Sequence, residues 1–281
     1  MRQKGKHMIY LVAGVFGLLI GSFLSVVISR LPIMLKKSWE AECREFLNQP
    51  AQATARFNLA VPRSHCPKCN ALITWWQNIP VISFVLLRGR CAGCQTKIPS
   101  FYPLLEISTA MLSIWVVAHF GLSWQMGFAL IFTYGLIAMT CIDARTQLLP
   151  DELTLSFLWL GLLISTHGLF ISSEDAIIGA FIGYAVLWLI ANAYKLIRKQ
   201  DGMGYGDFKL LAMLGAWIGA LNLLNVLLIS TFLGLISGLL FLLRKKIKST
   251  EPMPFGPYLA IGGWLTLLYG PFLLNYFHIL Q

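Results

Sequence analysis

The sequence predicts an all-α polytopic membrane protein, with about eight transmembrane helices and one small cysteine-bearing module in a loop. Three observations carry this. Of 281 residues, 57% are hydrophobic and 12% charged, against roughly 25% charged in an ordinary globular domain. The charges are clustered between long apolar runs. The basic residues fall in alternate connections between those runs, as the positive-inside rule requires. A net charge of +10 invites a nucleic-acid partner. The placement of that charge in loops between apolar runs argues against one and points to membrane lipid instead.

Crossing the bilayer core takes about 20 apolar residues. Segments of that kind lie at about 8–29, 101–119, 124–142, 153–171, 176–194, 207–220, 223–243 and 257–277. The apolar stretch from Phe208 to Leu243 is too long for one span and is expected to break near Gly219-Ala220-Leu221-Asn222. The stretch Ile107–Ile142 is expected to break near His119–Trp124. The first segment resembles a signal peptide in its basic flank. However, its 22 uncharged residues, Met8–Ser29, exceed a typical signal core and end in Arg30-Leu31-Pro32 without a small-residue cleavage site. In the first span, Gly14, Gly17 and Gly21-Ser22 allow close helix packing.

Nineteen of the 22 Lys and Arg residues lie in the first, third, fifth and seventh connections, which places that side in the cytoplasm. The exceptions are Arg2, Lys4 and Lys6 in the N-terminal tail. The expected organisation is a first transmembrane helix (1–30), a cytoplasmic domain with the cysteine module (31–100) and a seven-helix membrane core (101–281). Within 31–60, charged and apolar residues mix as in an amphipathic helix on the membrane surface. The basic run Arg244–Lys248 reads as an anchor on anionic lipid, followed by a Pro/Gly turn from Pro252 to Tyr258.

Residues 62–99 carry Cys66-Pro-Lys-Cys69 and Cys91-Ala-Gly-Cys94. Two Cys-x-x-Cys pairs at this separation are close to zinc-ribbon spacing. A segment so small lacks a core of its own, and a tetrahedral thiolate cage around zinc supplies one. Redox chemistry by a single pair is the weaker alternative. Cys43 and Cys141 fit neither pair, and His65 reads as a surface residue beside Cys66.

Four acidic positions stand out. Glu106 lies about one turn into the second span, where it is either functional or snorkels to the surface. Asp143 ends the third span, where a negative charge opposes the helix macrodipole. A residue placed against local preference is a candidate site. Asp151, beside Glu152, starts the fourth span, where helix capping accounts for it. Asp207 follows Gly202, Gly204 and Gly206, so a bent loop is expected to feed its helix. If Asp143 and Asp207 meet, they share a proton, as aspartic-protease carboxylates do. One then takes a proton from water while the other polarises a scissile carbonyl.

These motifs together resemble the type IV prepilin leader peptidases, bifunctional peptidase/N-methyltransferases of the Gly-x-Gly-Asp membrane aspartic protease class. The resemblance runs nearly end to end. It rests on Gly21-Ser-Phe-Leu-Ser-Val-Val-Ile-Ser-Arg-Leu-Pro32, Ser64-His-Cys-Pro-Lys-Cys69, Asn78-Ile-Pro80 and Leu87-Arg-Gly-Arg-Cys-Ala-Gly-Cys94. It continues in Asp143 with Leu149-Pro-Asp151, in Gly204-Tyr-Gly-Asp207-Phe-Lys209 and in Pro254-Phe-Gly-Pro-Tyr-Leu-Ala260. Ser25 stands where the family usually has Asn, and Phe101 where it often has Arg.

The resemblance implies that Asp143 and Asp207 are the catalytic pair, and that Gly204, Gly206 and Lys209 belong to the active-site loop. It implies that Cys66, Cys69, Cys91 and Cys94 are the metal ligands. The implied reaction removes a short basic leader from a prepilin or pseudopilin at the cytoplasmic face of the bacterial inner membrane. S-adenosylmethionine would then supply a methyl group to the new N-terminus. The competing class is a membrane transporter or assembly scaffold that uses Asp143 and Asp207 as a proton or cation pair. Transport favours carboxylates near the midplane and broken helices in both halves, whereas these two sit near one face.

Overall fold

The structure, a computed structural model, describes residues 2–50, 56–200, 202–243 and 253–276, with side chains at 7–50, 56–200, 202–243 and 253–270. Among the described residues it is helical, with no β-strand. The helices are α1 (Arg2–Phe46), α2 (Ile82–Leu86), α3 (Phe101–Phe120), α4 (Trp124–Thr146), α5 (Asp151–Ser165), α6 (Ser173–Arg198), α7 (Tyr205–Ile218), α8 (Leu223–Leu243) and α9 (Gly256–Tyr276). Five of them, α1, α3, α4, α6 and α8, are long and apolar enough to cross a membrane. Large apolar side chains stand exposed along them: Leu228, Phe232, Leu235 and Leu239 on α8 alone. In water such a stripe would be a liability; against lipid it is the ordinary solvent-facing surface. The chain is a multi-pass membrane protein. The basic run Arg244–Lys248 lies outside the described residues.

The chain divides into two compact units, Met1–Leu122 and Ser123–Gln281. In the first, α1 and α3 pack antiparallel. A side chain at Gly17 would strike the Ala110 backbone, and one at Gly21 the Glu106 backbone, each 2.7 Å from the added carbon. Small residues every fourth position let the two backbones touch. The first helix is longer than its apolar segment: instead of ending near Ser29 it runs through Pro32 to Phe46. Proline removes one helical N–H. Just before it, the Ser25 and Ser29 hydroxyls donate to the carbonyls of Ser22 and Ser25.

The second unit is built around α7. Eleven of its 14 residues are buried, Asp207, Phe208, Leu210 and Trp217 among them. A helix this short, apolar on every face, is stable only when packed on every side. Here α5, α6 and α9 surround it. Gly179 of α6 meets Gly215 of α7, and Gly183 meets Leu211, so those two helices also run antiparallel in backbone contact. From α5, the Phe157 carbonyl accepts the Trp217 indole N–H at 2.8 Å. The helix stops at Gly219, whose φ of 82° ends the run, and α8 begins at Leu223. The other expected break falls at Gly121, with Ser123 capping α4 by accepting the Met126 N–H at 3.1 Å.

Candidate active site and metal centre

Asp143 lies in the last turn of α4, which Gln147 ends in the left-handed conformation. Its own carbonyl accepts the Gln147 N–H at 2.8 Å. The carboxylate therefore sits at the negative end of the helix dipole, as the sequence indicated. It is buried, and its Oδ2 has no hydrogen-bond partner among the described residues. What it faces is backbone. A Cβ on Gly256 would lie 2.5 Å from that oxygen and 3.2 Å from Leu149 Cδ1. The first residue of α9 is thus pressed against the carboxylate, with no room for a side chain between them.

Asp207 reaches the same neighbourhood from α7. Gly204, not Asp207, is the N-cap, with φ −73° and ψ 144°, so the aspartate stands in the first turn, where the dipole favours a negative charge. The glycines before it do not use the left-handed region. Their purpose is close approach: a Cβ on Gly206 would come 2.8 Å from Leu149 Cβ, and one on Gly202 would strike the Tyr194 ring. Leu149 therefore touches both Gly206 and Gly256 and wedges the α4–α5 connection between α7 and α9. The buried Asp207 carboxylate lies within electrostatic reach of Asp143. Two carboxylates in such surroundings cannot both ionise cheaply.

Lys209, one half-turn further along α7, donates to both carboxylate oxygens of Asp151 at 2.6 and 2.7 Å. Pro150, not Asp151, is the N-cap of α5 and no side chain caps it, so capping does not account for Asp151. The pair ties the start of α5 to the start of α7. Both partners are partly exposed, at 29% and 52%, and such pairs contribute about 0–1 kcal/mol.

The four cysteines of the first unit converge. Their sulfurs all lie within 4.8 Å of one another, with Cys66 to Cys94 at 3.8 Å and Cys69 to Cys91 at 4.0 Å. A tetrahedron of thiolates around zinc, with bonds near 2.3 Å, has edges of about 3.8 Å. The two arms are alike. Cys66 N–H donates to Ala71 and Cys91 N–H to Thr96, and Asn70 and Gln95 each follow with positive φ. The Thr96 hydroxyl and backbone hold the Cys94 thiol down at about 6. The backbone of Cys69 and Lys68 lowers Cys66. Cys69 behaves oppositely: the Ala71 backbone favours its thiolate, but desolvation and the other three sulfurs push it up to about 11. Four such thiols cannot all be anions without a cation, and a coordinated metal removes the conflict. The cluster could bind a metal ion. Cys43 and Cys141 lie outside it, and His65 is exposed.

Comparison with known proteins identifies the family. Residues 15–120 match the bacterial peptidase A24 N-terminal domain, and residues 130–239 match the type IV leader peptidase family. A prepilin leader peptidase/N-methyltransferase of Stutzerimonas stutzeri is 52% identical over 261 residues, covering 92% of this chain and 90% of that protein. The chain belongs to the type IV leader peptidase family. Relatives of the same name from Pseudomonas aeruginosa (50% identical; 90% of this chain, 88% of the relative) and Aeromonas hydrophila (51%; 91% and 89%) align over similar lengths. No solved structure matches the chain.

Within this family member, sequence reasoning missed Leu149 and Gly256 as neighbours of the carboxylates. The motifs that contain them were visible, but contact between distant segments, such as Gly256 with Asp143 and Leu149 with Gly206, leaves no periodic signal. Glu106 belongs to the first unit, where it is buried and Oε2 accepts the Val81 N–H at 2.8 Å.

Proposed function

We propose that this leader peptidase removes the short basic leader from type IV prepilins or type II secretion pseudopilins at the cytoplasmic face of the bacterial inner membrane. It then methylates the new N-terminus. One observation carries the peptidase reading: the buried Asp143 and Asp207, on different helices, share one neighbourhood, where Leu149 meets both Gly206 and the Gly256 that presses on Asp143. Such a pair shares one proton, so one carboxylate activates water while the other, protonated, donates to the scissile carbonyl. Gly256 presses on the Asp143 carboxylate, and Leu149 packs against Gly206, the residue before Asp207. Lys209 orients the Gly204–Asp207 loop through Asp151. The names of the relatives support both the substrate and the methyl transfer.

Zinc in the Cys66–Cys69–Cys91–Cys94 cage would fasten the two arms together and take no part in the reaction. S-adenosylmethionine, as methyl donor, supplies an electrophilic methyl group for the new amine. Lipid is the expected surrounding, and nucleic acid is not an expected partner.

The direct test is incubation of purified protein with a prepilin, followed by mass spectrometry for the lost leader and the added methyl. Intact prepilin after prolonged incubation would sink the reading. Gly256→Ala sharpens it. The new methyl must displace the Asp143 carboxylate, and a shift near 1 Å costs about 10²-fold in rate. Cleavage should fall by that order while the protein stays in the membrane; undiminished cleavage would show that the Gly256 contact does not set the site. Orientation is checked separately by cysteine accessibility. Single cysteines introduced in 62–99, 143–152 and 195–200 should label from the cytoplasm. Periplasmic labelling of 195–200 would reverse the α6–α7 connection and move the proposed site to the other side.

A further inference from the structure

Val81 is the most strained residue of the cysteine-bearing arm. Its φ of 58° and ψ of −48° are an outlier for a β-branched side chain. The Ile82 N–H donates across it to the Pro80 carbonyl at 2.5 Å, which makes Val81 the centre of the rare, strained form of γ-turn. Strain of this kind persists only where surroundings over-determine it, and it collects at functional positions. Here a buried carboxylate is hydrogen-bonded to the strained residue itself. Glu106 of α3 accepts the Val81 N–H at 2.8 Å. It is buried where α1 and α3 are in backbone contact at Gly21, and Ser22 of α1 faces the same group.

What the turn controls is the second metal-binding arm. Val81 is the N-cap of α2, and α2 has no buried residue to hold it in place. The chain then turns back at Gly89, φ 66°, against the Phe84 ring. Ile98 N–H closes on the Gly89 carbonyl at 2.8 Å, and Cys91 and Cys94 lie inside that loop. The first arm has a tether of its own. The Arg30 guanidinium of α1 donates to the carbonyls of Asn58, Leu59 and Pro62.

We propose that Glu106 is a positioning residue. By holding Val81 in its strained turn it sets the stance of the second cysteine arm on the α1–α3 pair, and methyl transfer depends on that stance. The last clause rests on the methyltransferase reading above. The tether itself does not, and the experiment separates them.

Three full-length variants are compared: Glu106→Gln, Glu106→Ala and Glu106→Ala/Val81→Gly. Amide hydrogen exchange across 81–90, zinc content and methyl transfer are measured on each. Glu106→Ala should speed exchange at 81–86 by about tenfold or more, since releasing local strain opens the turn. Zinc should stay at the wild-type level, and methyl transfer should fall at least as far as exchange rises. Glu106→Gln keeps an acceptor oxygen and should remain near wild type in all three. In the double variant, glycine adopts positive φ without a Cβ penalty, so much of the methyl transfer should return. A Gln variant as inactive as Ala, with wild-type exchange, would mean that the charge and not the position matters, and would overturn the proposal. So would unchanged exchange in Glu106→Ala. If even the wild-type protein transfers no methyl group, the methyltransferase reading fails, while exchange still decides the tether.

Discussion

Asp143→Asn and Asp207→Asn should each abolish leader cleavage while leaving the protein folded in the membrane. Both carboxylates are buried, so the neutral amide of similar shape lightens a desolvation burden instead of adding one. Folding therefore should not suffer and can gain, as is common where stability has been traded for activity. Chemistry has no such relief. One oxygen must accept a proton from water and another must donate one, and an amide does neither at neutral pH. Loss of a positioned acid or base lowers rate by roughly 10²–10⁴-fold, and two coupled roles put each single variant at or beyond the upper end. Asp151→Asn is the control. It loosens the partly exposed contact to Lys209 and should cost no more than about fivefold, the equivalent of 1 kcal/mol. Cleavage rates on a prepilin peptide, with thermal unfolding in the same detergent, measure both sides. Near-normal cleavage by either dyad variant removes that residue from the mechanism.

The second large effect concerns the cysteine cage. Purified protein should contain about one zinc per chain, and any single Cys→Ser change among Cys66, Cys69, Cys91 and Cys94 should remove most of it. The reason is visible in the packing. Across 62–99 only Cys66 and Pro80 are buried, so this stretch has almost no apolar core. The metal takes the place of one, and its binding free energy is folding free energy for the segment. Loss of one ligand should therefore loosen both arms together, read as increased proteolysis of 62–99. Methyl transfer should suffer more than cleavage, because Asp143 and Asp207 belong to the other unit. A protein free of metal, whose four thiols alkylate readily without loss of either activity, would leave the cage with no role.

Much of this was legible in the residues. The helices fall where the apolar segments lie, although five of the described ones, against the eight expected, are long and apolar enough to cross a membrane; the breaks at Gly121 and Gly219 fall where glycine and polar residues interrupt them. The Cys-x-x-Cys pairs announced their cluster, because ligand spacing along a short chain nearly fixes geometry. Asp143 stood out by lying at the wrong end of a helix dipole. Contacts between distant segments were not legible. Nothing in the sequence states that Leu149 wedges between Gly206 and Gly256, or that Asp151 pairs with Lys209 instead of capping its own helix. The extent of α1 was also misread. Charge and proline suggested that the membrane helix stops near Arg30 and an amphipathic segment follows. Hydrogen bonding along the backbone outlasts the apolar pattern and carries the helix another sixteen residues to Phe46.

That continuity has a mechanical meaning. At 1.5 Å per residue, 45 residues make a rod of about 68 Å, roughly twice the hydrocarbon thickness of a bilayer. The part that anchors in lipid and the part that stands in water are therefore one lever. Arg30, about two-thirds of the way along it, grips the incoming cysteine arm through three carbonyls, and Pro32, two residues on, removes a backbone hydrogen bond. Helices bend most readily where a proline interrupts their hydrogen bonds, so bending of this rod is expected beside the Arg30 grip.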